Sequence, residues 1–174
     1  SDWSSDVCSS DLLILFSRPL GQVLYQKDFF EAWMYVPFLL VASVINSASG
    51  FLGPILSARK DSKSMAMSAV YGAGANLILN IVLVYLIGIQ GATMATVISS
   101  FIIYAVRKRA LGAEIQAEGL WKLYVTWALL VAQSAVEIYT GLWMLEMAFI
   151  FMMFVINWKE IRTVIRWGSG FIRK

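Results

Sequence analysis

The chain has 174 residues, of which 59% are hydrophobic and only 14% charged, against about 45 to 50% apolar and about 25% charged in an ordinary soluble domain. With 14 Lys+Arg, 11 Asp+Glu and a mean hydropathy of +0.71, the apolar excess needs a solvent other than water, and lipid is that solvent. Histidine is absent, which excludes imidazole bases, His metal ligands and Ser-His or Cys-His nucleophile pairs. The lone Cys8 cannot form an intramolecular disulfide. The expectation is an all-α membrane protein that is not an enzyme, with no catalytic residue, metal or cofactor and no nucleic-acid partner.

Residues 1–12 read SDWSSDVCSSDL, a Ser/Asp-rich string that gives way within one residue to the apolar LLILF. It resembles a sequencing-library adapter read through in one frame, and is expected to be an artefact that precedes a fragment; a native flexible N-terminus is the alternative. Residues 12–17 read as the stub of a helix. Residues 18–33, with Leu20, Val23, Leu24, Phe29, Phe30 and Trp33, are expected to lie along the outer surface.

Five stretches are long and apolar enough for a hydrocarbon core of about 30 Å, which takes about 20 helical residues. They fall near 34–56, 65–87, 91–106, 121–138 and 142–158, the third being the shortest. Gly88-Ile89-Gln90-Gly91 and Tyr139-Thr140-Gly141 are tight turns, so the helices they join are expected to form antiparallel hairpins. The tail 159–174 places Ile161, Val164, Ile165 and Ile172 on one stripe with Lys159, Arg162, Arg166 and Lys174 largely off it, as in a helix lying on an anionic leaflet.

Positive charge sets the expected orientation, because basic loops stay on the cytoplasmic side. Twelve of the 14 Lys and Arg lie in one set of loops (Arg59, Lys60, Lys63, Arg107, Lys108, Arg109, Lys122, Lys159, Arg162, Arg166, Arg173 and Lys174), and Arg18 and Lys27 in the other. The first complete helix then runs from outside to inside, and the C-terminus is cytoplasmic. Trp33, Tyr35, Tyr85, Tyr139 and Trp143 mark the outer boundary and Tyr104, Trp121, Trp158 and Trp167 the inner one, as aromatic belts require. A multi-pass protein of the plasma (inner) membrane is expected.

Polar groups inside a span are costly and usually face protein or a water-filled path. The first span holds Ser43, Asn46, Ser47 and Ser49 with Gly50, Gly53 and Pro54 just beyond, a combination compatible either with a moving helix or with close packing. Asn76 and Asn80 share one face of the second span, and Ser68, Gly72 and Asn76 repeat every four residues, as do Gly91, Ala95 and Ser99 in the third. Tight packing of these two helices is expected. Glu137 and Glu146 are the carboxylates within apolar runs, near the outer ends of the last two spans, with Gln133 and Ser134 a turn from Glu137. Snorkelling to the outer interface is the expected fate of both carboxylates, and a proton or cation site the alternative. The candidate substrate path thus comprises Asn46, Asn76, Asn80, Gln133 and Glu137, and no Lys or Arg is expected inside a span.

The stretch Gly74-Ala75-Asn76-Leu77-Ile78-Leu79-Asn80, followed by Ile87-Gly88-Ile89-Gln90-Gly91-Ala92-Thr93-Met94-Ala95-Thr96 and the basic Arg107-Lys108-Arg109, resembles the C-terminal half of oligosaccharide flippases, the polysaccharide-export branch of the superfamily that includes multidrug and toxin extruders. Asn76, Asn80, Gly88, Gly91, Ala92 and Thr96 fill the family pattern, and the likeness covers about residues 13–109, with Arg18-Pro19-Leu20 and Val23-Leu24-Tyr25 resembling the preceding outer loop. The resemblance implies a two-lobed helical bundle around a cavity that opens alternately to either side, of which this chain is the C-terminal lobe, with the N-terminal lobe of the same polypeptide and membrane lipids as its partners. It implies translocation of polyprenyl-pyrophosphate-linked oligosaccharide for surface polysaccharide biosynthesis. A multidrug or cation antiporter of the same superfamily and a non-transporting structural membrane protein are the alternatives.

Overall fold

The structure, a computed structural model, describes residues 10, 12–17, 32–112, 120–139 and 143–156. The expectations for residues 1–9, the outer segment 18–31, the turn 140–142 and the tail 159–174 lie outside the described residues, as does the side chain of Glu146. The described residues form helices and no strand. After a short helical segment at 12–17 come α1 (Val36–Ala58), α2 (Ser62–Ile87), α3 (Ile89–Leu111), α4 (Leu120–Tyr139) and α5 (Trp143–Ile156).

Local chemistry sets the ends. Pro37 stands in the first turn of α1, where its missing N–H would have had no partner anyway. At the other end Lys60 N–H donates to the Ser57 carbonyl (2.9 Å) and Asp61 N–H to the Leu56 carbonyl (3.0 Å). This paired closure needs a left-handed residue between, and Lys60 supplies it at φ 58°. Asp61 then caps α2, its carboxylate accepting from the Ser64 N–H at 3.1 Å.

Among the described residues three helices are long and apolar enough to cross a membrane: 32–58, which extends α1 by its preceding turn, α2 and α3. Five were expected. The 20-residue α4 carries Lys122, Thr126, Gln133, Ser134 and Glu137 among its apolar residues. The described part of α5 has 14 residues, or about 21 Å at 1.5 Å per residue, which falls short of a hydrocarbon core.

The third helix is also longer than expected and, among the described residues, is not the shortest. Gly88 alone turns the chain at φ 68°, ending α2 and starting α3. Past the expected end, Arg107 to Leu111 are good helix formers and carry on until Gly112, at φ 65°.

The packed interior lies between α1, α3 and α4. Val41, Val44, Ile45, Ala48, Leu52 and Leu56 recur at three- and four-residue steps on α1 and meet Tyr104 and Leu111 of α3, Leu123, Trp127 and Leu130 of α4, and Ile14 of the short N-terminal segment. Tyr104 and Trp127 pack edge to face with centroids 4.8 Å apart, and Tyr124 joins them at 5.7 Å from Trp127. By contrast α2 touches the rest mainly through α3. Its buried residues are Ser68 and Gly72.

Candidate functional site

The small-residue faces of α2 and α3 meet in antiparallel register. Ser68 faces Arg107, Gly72 faces Ile103 and Asn76 faces Ser99, each rung four residues from the next on both helices. Asn76 Nδ2 donates to Ser99 Oγ at 3.1 Å. Asn80 Nδ2 in turn donates to the Asn76 side-chain oxygen at 2.8 Å and to its backbone carbonyl at 2.9 Å. A Cβ on Gly91 would overlap the backbone of Leu83 and Val84, and one on Gly72 the side chain of Ile103, so the helices approach as closely as only glycine allows. Asn76 and Asn80 are half-buried here. Their amides are engaged in holding the hairpin.

Arg107, expected in a basic loop, belongs instead to α3, and because helical side chains lean toward the N-terminus, its guanidinium points back into the bundle. Nε donates to Ser68 Oγ of α2 at 3.1 Å and Nη1 to the Ser49 carbonyl of α1 at 2.9 Å, beside Gly53. One side chain thus ties three helices. The signal was present in sequence: Ser99, Ile103 and Arg107 continue the four-residue stripe of Gly91 and Ala95. Lys108, the next residue, turns the other way and donates to the Tyr124 hydroxyl of α4 at 2.8 Å.

On α4 the polar residues point inward. Leu123, Thr126, Trp127, Leu130, Gln133, Ser134 and Glu137 are buried, whereas Trp121, Val125, Val131 and Tyr139 are exposed. Gln133 is 0% exposed with neither amide atom hydrogen-bonded among the described residues, and the Thr126 hydroxyl is likewise buried and without a partner there. Glu137, expected to snorkel, is instead 4% exposed. It sits one turn from Gln133 on the same face, which faces protein rather than the interface.

Asn46 is separate from both groups. It is exposed on the outward stripe of α1, which runs Leu39, Ser43, Asn46, Gly50, Pro54 and Ser57, all exposed, with Ser47 half-buried beside it. Pro54 has no N–H, so the Gly50 carbonyl four residues earlier loses its helical donor. A groove of about 500 Å³ lined by Ser47, Gly50, Phe51 and Pro54 opens at this point. Asn46 with its neighbours on α1, Asn76 with Asn80, and Gln133 with Glu137 are therefore three distinct places in the fold.

No protein family, curated protein or solved structure matches the chain. Among the described residues no group of His, Cys, Asp and Glu could hold a metal ion.

Proposed function

We propose that this chain is the five-span C-terminal lobe of a two-lobed membrane flippase that carries polyprenyl-pyrophosphate-linked oligosaccharide across the inner membrane for surface polysaccharide biosynthesis, its C-terminus in the cytoplasm. The observation that carries this proposal is the outward face of α1. It lies within a helix long and apolar enough to cross a membrane, yet exposes Ser43, Asn46, Gly50 and Ser57 along with a proline-opened turn, with Ser47 half-buried beside them. Such groups are poorly solvated by acyl chains and belong on a water-filled path or against protein. They are neutral donors and acceptors beside the exposed Phe51 ring, a combination suited to sugar hydroxyls and C–H faces. The Asn76, Asn80, Gly88, Gly91-Ala92 and Thr96 pattern adds the family resemblance.

The test is complementation. The gene carrying this chain, together with its N-terminal lobe, is expected to restore surface polysaccharide in a host lacking its flippase, and Asn46→Leu with Ser47→Leu to weaken that rescue at unchanged membrane abundance. Rescue by residues 13–174 alone would overturn the two-lobed proposal. The burial of Glu137 beside Gln133 favours a second reading, an ion-coupled antiporter, because an interior carboxylate can exchange a proton or cation. Drug efflux without polysaccharide rescue, abolished by Glu137→Gln, would select it.

A further inference from the structure

All seven Lys and Arg among the described residues fall at one end of the bundle: Arg59 and Lys60 after α1, Lys63 in the first turn of α2, Arg107, Lys108 and Arg109 in the last turns of α3, and Lys122 in the first turn of α4. Arg59 Nη1 reaches the Leu111 carbonyl at 3.5 Å, which draws the α1–α2 turn against the end of α3. Asp61 is the acidic residue described at this end, and its carboxylate is committed to the Ser64 N–H. Arg107 is tied inward by Ser68 and Ser49. Lys60, Lys63 and Arg109 are left exposed.

Two further observations identify what these cations meet. Apolar surface begins next to them on the same helices, at exposed Ile55, Met67, Val70 and Trp121, so the molecule that covers that surface is also the one whose polar end reaches the charges. Lys60 also stands in the left-handed conformation at φ 58°, where glycine would be conformationally cheaper; a charge is held there at a conformational cost. We infer that the turn between α1 and α2, with the end of α3, is a binding surface for the phosphate head groups of anionic phospholipids, with Lys60, Lys63 and Arg109 as its ligands. This surface is independent of the transport proposal and of the basic tail.

The intact protein in phosphatidylcholine vesicles, with spin-labelled phosphatidylglycerol or phosphatidylcholine as probe, tests this through the motionally restricted fraction of each lipid. Phosphatidylglycerol should be preferred, and the preference should fall at least about fivefold in Lys60→Gln with Lys63→Gln and Arg109→Gln, given about fivefold per cation near an anionic surface. A second variant with Lys60→Gly in place of Lys60→Gln keeps the turn conformation favourable and should lose the same preference. Equal association of both lipids with the intact protein would overturn the inference, and so would a preference undiminished in both variants. Displacement of phosphatidylglycerol by inorganic phosphate would assign the surface to a free anion and overturn it as a lipid site.

Discussion

α1 and α2 are neighbours of similar length and composition, yet their outward faces are opposites. The exposed face of α2 is a continuous apolar sheath of Val70, Leu77, Ile78, Ile81, Val82 and Leu86, with the Asn76 amide donating to Ser99 of α3 and the Asn80 amide to Asn76. The exposed face of α1 carries Ser43, Asn46, Gly50, Pro54 and Ser57 among the apolar Leu39, Phe51 and Ile55, while its buried apolar residues join the core. A helix of the first kind can be solvated by acyl chains over its free surface. One of the second kind cannot, and it needs water or protein opposite it. The contrast separates a helix whose free surface suits lipid from one whose free surface suits water or protein. α4 extends it by turning Thr126, Gln133 and Glu137 inward.

The comparison can be broken most severely at the hairpin that gives α2 its sidedness. Gly91→Ala places a methyl group on the backbone of Leu83 and Val84, and is expected to cost about 3 kcal/mol or more in unfolding experiments in detergent. Gly74→Ala, which meets nothing within 4 Å, should instead gain about 0.5 to 1 kcal/mol from helix propensity. Equal effects at the two glycines would show that α2 and α3 are not in close contact.

On α4, Gln133→Leu removes a buried amide that has no partner, and is expected to stabilise the bundle by about 1 to 3 kcal/mol in a thermal melt. Destabilisation would mean that the amide is engaged by a group of the bundle. Next in size is an asymmetry at Arg107. Ser68→Ala strands the guanidinium Nε and should cost about 1.5 to 2 kcal/mol. Arg107→Met should cost less, because Ser68 Oγ still donates to the Met65 carbonyl at 2.7 Å. A larger loss from Arg107→Met would show that the interhelical tie outweighs the cost of burying the cation.

Smaller again, Asn76→Leu should cost about 0.6 to 1.7 kcal/mol, the range of hydrogen bonds between membrane helices, since it removes the bond to Ser99 and leaves Asn80 the backbone carbonyl at position 76. The loss should vanish in a Ser99→Ala background. The weakest effect concerns Asp61. Its hydrogen bond to Ser64 and the nearby Lys63 and Arg59 hold its carboxyl below the ordinary aspartate value. Because the folded value is the lower one, the cap stabilises α2 above the unfolded-state pKa and loses that contribution as pH falls through the folded value. Melting curves from neutral to acidic pH should show this loss in the intact chain and not in Asp61→Asn.

The helices themselves were legible because apolar runs of span length and the four-residue repeats of Ser68, Gly72, Asn76 and Gly91, Ala95, Ser99 are local patterns that depend on no neighbour. Pairing of those two stripes could be expected, since small residues allow close approach only where another helix is present. Which way the remaining polar residues pointed was a different matter. Asn46 and Glu137 lie in apolar runs and Arg107 just beyond one, and periodicity gives their angle about a helix without giving where its neighbours stand. Only the packing of the helices left Asn46 exposed and Glu137 buried. The approach of Ser49 and Ser68 drew Arg107 inward, although by sequence it was one of three basic residues beyond a span. The sequence by itself determined the helical class, the span-length runs and the α2–α3 contact face, because these follow from short-range spacing. The tertiary structure decided which polar groups are buried and which are exposed, because burial depends on the relative rotation of helices far apart in the chain.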